Sequence, residues 1–160
     1  MNDFIQLTKK NIIKIGIKDE NGNILDGELT FDLEDIDLPL RYQEMLEQHK
    51  QNENYLKHQL LIISKQEDLQ GKKLLTSNTE KSIRTIKEYF SREIKALDLF
   101  LGDGKTEMIL NLMNRKPYYT MFKDFSEMLK PIIPVIEKNI DTIDDMIINK
   151  YNEKEENVLE

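Results

Sequence analysis

The apolar positions along the chain change their period as the sequence proceeds. Ile13, Ile15 and Ile17 alternate with other residues, and Leu25, Leu29 and Phe31 share one parity, which is the period-two pattern of two half-buried strands. Between them Asn21-Gly22-Asn23 is a turn signal, because Asn and Gly tolerate positive φ. A two-residue loop would set Ile15 against a polar partner. A three-residue loop at 21–23 pairs Ile13 with Phe31 and Ile15 with Leu29, and so keeps both apolar sets on one face. The expected unit is a hairpin over 11–32 with an odd-length loop, an αL residue and a bulge. Two strands alone are marginal in water, so this hairpin needs helices beneath it, a third strand from about residues 4–7, or pairing with another chain.

From Asp35 the period lengthens to that of a helix. Asp35 or Asp37 with Pro39 marks a start, since Asp caps and proline suits a first turn. Tyr42, Met45, His49, Leu56, Leu60 and Ile63 follow at helical spacings, with Leu46 beside them, while 47–54 is polar and expected to be largely exposed. Gly71 and residues 74–78 break the pattern and Thr79 is the expected cap of a second helix. Ile83, Ile86, Phe90, Ile94, Leu97 and Leu101 then recur up to Gly102. Two long helices joined by a polar turn predict an antiparallel helical hairpin over 38–101. A short helix is predicted over about 106–113, ended by Arg115-Lys116-Pro117. A last helical region runs from Tyr118 to Tyr151, interrupted at Pro131 and Pro134, with Ile136, Ile140, Ile143 and Ile147 on its face. The fold class is therefore mostly α (α+β), as a single domain over 1–151: β-hairpin 11–32, helical hairpin 38–101, C-terminal helices 106–151. Residues 152–160 are charged, lack a periodic face and read as a flexible tail.

Composition narrows the class. The 160 residues suffice for one sizeable core. A formal charge of -7 makes an acidic protein that nucleic acid would repel on average, and its lysines alternate with acids as on a solvated helix face. With no cysteine, disulfides, thiolate metal sites and cysteine nucleophiles are excluded, and a reducing cytoplasm is the natural setting. Met1-Asn2-Asp3-Phe4-Ile5 has no charged start followed by an apolar run, and no stretch reaches the ~18 apolar residues of a span, so neither export nor a membrane is expected.

Catalytic, cofactor and metal chemistry is not expected either. Gly104-Lys105-Thr106 ends like a phosphate loop, but position 99 is Leu where that loop needs glycine, and a helix precedes it; a helix stop followed by a helix start explains the residues better. Asp19, Asn21 and Asn23 have the spacing of a calcium loop, yet Ile24 and Thr30 stand where glycine and a bidentate acid belong, so turn chemistry accounts for them. His49 and His58 are too far out of phase to share a helical face for zinc. Acid pairs such as Asp144-Asp145 read as solvated surface.

The densest soft and aromatic stretch lies between Phe100 and Val135. Met and aromatic side chains serve either a core or an adaptable surface that grips another protein's apolar segment. Tyr118 and Tyr119 are adjacent and point different ways, and Met108, Ile109, Leu112 and Met113 make a broad stripe on a short helix, so not every member can be buried. Partner contact is assigned to Met108, Leu112, Met113, Tyr118, Tyr119 and Phe122.

Phe31-Asp32 and Leu38-Pro39-Leu40-Arg41-Tyr42 after a hairpin, a helical pair, then Phe100-Leu101-Gly102-Asp103-Gly104-Lys105-Thr106 and the 122–133 helix resemble the tail assembly chaperones of long-tailed (siphovirus-like) bacteriophages. The resemblance covers roughly residues 11–150; the chain departs from it in having aliphatic side chains and no phenylalanine near the place of Leu110 to Met113, where that family usually has one. It implies a non-catalytic protein of the infected host's cytoplasm that coats and solubilises the tape measure protein, helps recruit tail tube protein subunits, and is absent from the mature virion. Many members are made in two lengths by ribosomal frameshifting, and the charged tail suits the shorter form. Repeated copies along a long partner would favour a homo-oligomer. The alternative is a structural or adaptor component of the phage particle; a nucleic-acid-binding regulator is the weakest reading, because of the net charge.

Overall fold

The computed structural model describes residues 12–159, with side chains as far as Asn152; the third strand expected near residues 4–7 lies outside them. The fold is mostly helical, with a two-stranded antiparallel hairpin ahead of the helices. Its elements are β1 (Ile12–Lys18), β2 (Ile24–Asp32), α1 (Leu38–Ser64), α2 (Ser77–Leu101), α3 (Lys105–Leu112), α4 (Met121–Met128), a 3-10 turn (Lys130–Ile132) and α5 (Ile133–Leu159). The described residues form two compact units, 12–40 with 130–159, and Arg41–Leu129.

In the first unit β1 and β2 pair with Ile13 opposite Phe31 and Ile15 opposite Leu29, the register that keeps the apolar sets together. Lys14, Gly16 and Lys18 point to solvent, whereas Ile17, Leu29 and Phe31 are buried. The register slips between Gly16 and Lys18, so that Lys18 faces Ile24 and the loop spans 19–23 rather than 21–23. Asp19 causes the wider loop. Its Oδ1 accepts the amides of Asn21 and Asn23 at 2.9 and 2.8 Å, and its Oδ2 accepts Asn23 Nδ2 at 3.0 Å. Gly22, at φ 81, supplies the left-handed residue. These hydrogen bonds hold the Asp19 carboxyl below its ordinary pKa, Asn23 contributing most.

Pro131 falls in the 3-10 turn and Pro134 in the first turn of α5, where a missing amide costs nothing, so the expected interruptions become a helix start. α5 then continues to Leu159, through the segment expected to be a flexible tail. The Glu and Lys residues of 153–156 are good helix formers, and propensity carries the helix past its apolar face.

The second unit is built on an antiparallel pair. Tyr42 meets Phe100 edge-on at 5.3 Å, His49 meets Glu93, and Tyr55 donates to Glu88 at 3.0 Å, so partners descend α2 as they climb α1. Thr76, not Thr79, caps α2: Thr76 Oγ1 accepts the Thr79 amide at 3.3 Å from an extended backbone. Gly102 closes α2 at φ 107, its amide donating to the Asp98 carbonyl at 2.9 Å.

Two sequence expectations for this pair are corrected. The middle of α1 is not solvent-exposed throughout, because Asn52 is 1% exposed and His49 half-buried. On α2 the buried stripe is Tyr89, Glu93, Ala96 and Phe100 with Leu97 and Leu101, while Phe90 and Ile94 are only half-buried and Ile83 is exposed. A charged residue in the true stripe and isoleucines in a neighbouring one shift the apparent face by about one residue, roughly 100° of helical rotation.

Candidate partner-binding surface

The break after α2 is organised by Asp98. Its Oδ2 accepts the Gly104 amide at 3.1 Å and its Oδ1 the Thr106 amide at 3.0 Å, while Gly104 itself has no side chain to cap α3. A carboxylate from the preceding helix thus sits on the N-terminus of α3, the position a phosphate would take in a nucleotide loop. Gly104-Lys105-Thr106 is a helix start with its anion built in. Nothing in the spacing of glycines points to Asp98; only an acid near the last turn of a helix, where it opposes that helix's own dipole, could have raised it.

α3 buries Thr106, Ile109 and Leu110. Asn114 then takes a left-handed φ of 51, and the Arg115 amide returns to the Leu110 carbonyl at 2.9 Å. The Arg115 guanidinium lies 3.5 Å from the ring centre of Tyr118, whose hydroxyl donates to Asp124 Oδ2 at 2.8 Å. Partial burial pushes the Tyr118 phenol up to about 12; its bond to Asp124 and that carboxylate's charge reinforce the shift, and Arg115 opposes it. α4 buries Met121, Phe122 and Phe125.

The six residues assigned to partner contact therefore separate. Met113 is 41% and Tyr119 67% exposed, with Tyr119 at 6.3 Å from the ring of Tyr89. Met108, Leu112 and Tyr118 are half-buried. Phe122 is buried, stacked on His49 with ring centres 3.6 Å apart and planes 3° from parallel.

That stack belongs to a polar cluster that reading the sequence missed. Glu93 is 1% exposed, yet His49 Nδ1 stands 2.6 Å from its Oε2 and Asn52 Nδ2 donates to its Oε1 at 2.8 Å. Asn52 Oδ1 in turn accepts Gln48 Nε2 at 2.8 Å, and His49 Nε2 reaches Glu53 at 2.9 Å. Burial disfavours an imidazolium at His49, but the hydrogen bond and charge of Glu93, then those of Glu53, outweigh it and raise the pKa. Burial, and then the charge of Glu93, pushes the Tyr89 phenol well above its ordinary value. The arrangement ties α1, α2 and α4 together through one carboxylate and one imidazole.

A groove of 680 Å³ runs along the face of α2 next to its buried stripe. Its apolar floor is Phe90, Ile94 and Pro117, and Lys87, Lys95 and Lys116 stand exposed at its edges. No helix among the described residues is long and apolar enough to cross a membrane. No protein family, curated protein or solved structure matches the chain.

Proposed function

We propose that the protein is a phage tail assembly chaperone, a non-catalytic helper that binds the tape measure protein, keeps it soluble in the host cytoplasm, helps recruit tail tube subunits, and leaves the finished tail. The observation that carries this reading is the exposure of Met113 and Tyr119, with Met108 and Leu112 half-buried. These are adaptable apolar side chains, and the neighbouring backbone is fixed by the Arg115–Tyr118–Asp124 clamp. A tape measure is long and apolar along one face, so its holder needs a forgiving apolar front and a charged back; the net charge of -7 supports the second requirement.

Quantitative mass spectrometry of an infected lysate and of purified particles tests the chaperone role. The chain should be abundant in the lysate and missing from the particles. Stoichiometric presence in particles would make it a structural component instead.

A further inference from the structure

α2 carries two apolar stripes, and its own chain buries only one of them. The second, Phe90 and Ile94, floors the groove beside α3. Lining positions 87, 90, 91, 94, 95 and 98 recur at helical spacing along α2, a run of about 16 Å or three turns. The charge around this floor is opposite to that of the protein as a whole. Lys87, Lys95 and Lys116 are exposed and make no ion pair among the described residues, and of the two lining acids Asp98 is committed to the amides of Gly104 and Thr106. Asp98 keeps its charge, so three lysines stand against two carboxylates, a net positive lining in a protein of net charge -7.

We propose that this groove docks an amphipathic helix of a partner protein, with an apolar stripe laid over Phe90, Ile94 and Pro117 and carboxylates facing Lys87, Lys95 and Lys116. The longest wall is α2, whose backbone bonds are already made, and on the loop side Pro117 has no amide to donate, so the groove offers no strand edge to an extended peptide; α2 presents side chains at helical intervals, which a partner helix matches. Lys87 and Lys95 are about 12 Å apart along α2, which calls for acids seven or eight residues apart on the partner. The lysines supply orientation and selectivity, and the apolar floor supplies the affinity. This inference rests on the chaperone reading only for the expectation that the partner is helical; the groove is distinct from Met113 and Tyr119.

The test uses the full chain and a labelled synthetic amphipathic helix with leucines on one face flanked by glutamates, alongside a twin in which lysines replace the glutamates. Fluorescence anisotropy should show the acidic peptide binding at least about tenfold tighter than its twin at low salt, with the difference shrinking at high salt. K87E/K95E, two exposed substitutions that leave the core alone, should reverse the preference, and M113D/Y119D should leave it unchanged. Absence of binding by the acidic peptide, equal binding of both peptides, or a preference unmoved by K87E/K95E overturns the proposal. A chain that fails here yet keeps the tape measure soluble loses the groove and retains the chaperone role. One that passes here but leaves the tape measure insoluble keeps the groove and loses that role.

Discussion

Glu93 is the residue on which the second unit most depends, because a carboxylate at 1% exposure is tolerable only while His49 and Asn52 bond both of its oxygens. His49→Ala strands that charge and should cost about 3–5 kcal/mol in urea unfolding, far above the ~1 kcal/mol of an exposed pair. The histidine also sets a pH dependence. Since its folded pKa is raised, its contribution is complete below the ordinary imidazole value of about 6.5 and is lost as pH rises through the folded value. Stability should therefore decline from pH 6 towards alkaline pH, and His49→Gln should flatten that slope; an unchanged slope would show that the histidine does not titrate against Glu93. Thr106 is a different case. It is fully buried and its hydroxyl has no partner among the described residues, so Thr106→Val, which keeps the shape, should raise stability by about 1 kcal/mol in the same assay. None of these three residues was singled out for its role from sequence. Glu93 looks like a surface residue until its partners, 44 and 41 positions away in the chain, are known.

At the level of elements, local chemistry was legible and facing was not. The hairpin register followed from the parity of Ile13, Ile15, Leu29 and Phe31, and the stop at Gly102 from glycine's tolerance of positive φ. The faces of α1 and α2 were harder, because Asn52 and Glu93 occupy core positions while Phe90 and Ile94 lie partly outside. Hydrophobicity reports what a side chain prefers, and here hydrogen bonding between helices overrode it. The start of α3 offers a direct check on its hidden cap. Asp98→Ala removes the acceptor for two amides and should cost about 1–2 kcal/mol, whereas Asp98→Asn, which keeps one oxygen acceptor, should cost less; equal losses would mean that charge rather than hydrogen bonding holds the turn.

For the molecule as a whole, the soft stretch from Phe100 onward divides between core and surface. Met121, Phe122, Phe125 and Leu129 are buried, and Met113 and Tyr119 are exposed. Sequence could locate the stretch, because Met and aromatic residues are concentrated there, but it could not apportion it, because exposure depends on what α1 and α2 place opposite. Co-expression with the tape measure protein reads the consequence most directly, as the fraction of that protein remaining soluble. M113D/Y119D alters only exposed positions, so the variant should fold with an unchanged unfolding midpoint and yet leave the tape measure in the pellet. A folded M113D/Y119D chain that keeps the tape measure as soluble as the unaltered chain does would contradict the account.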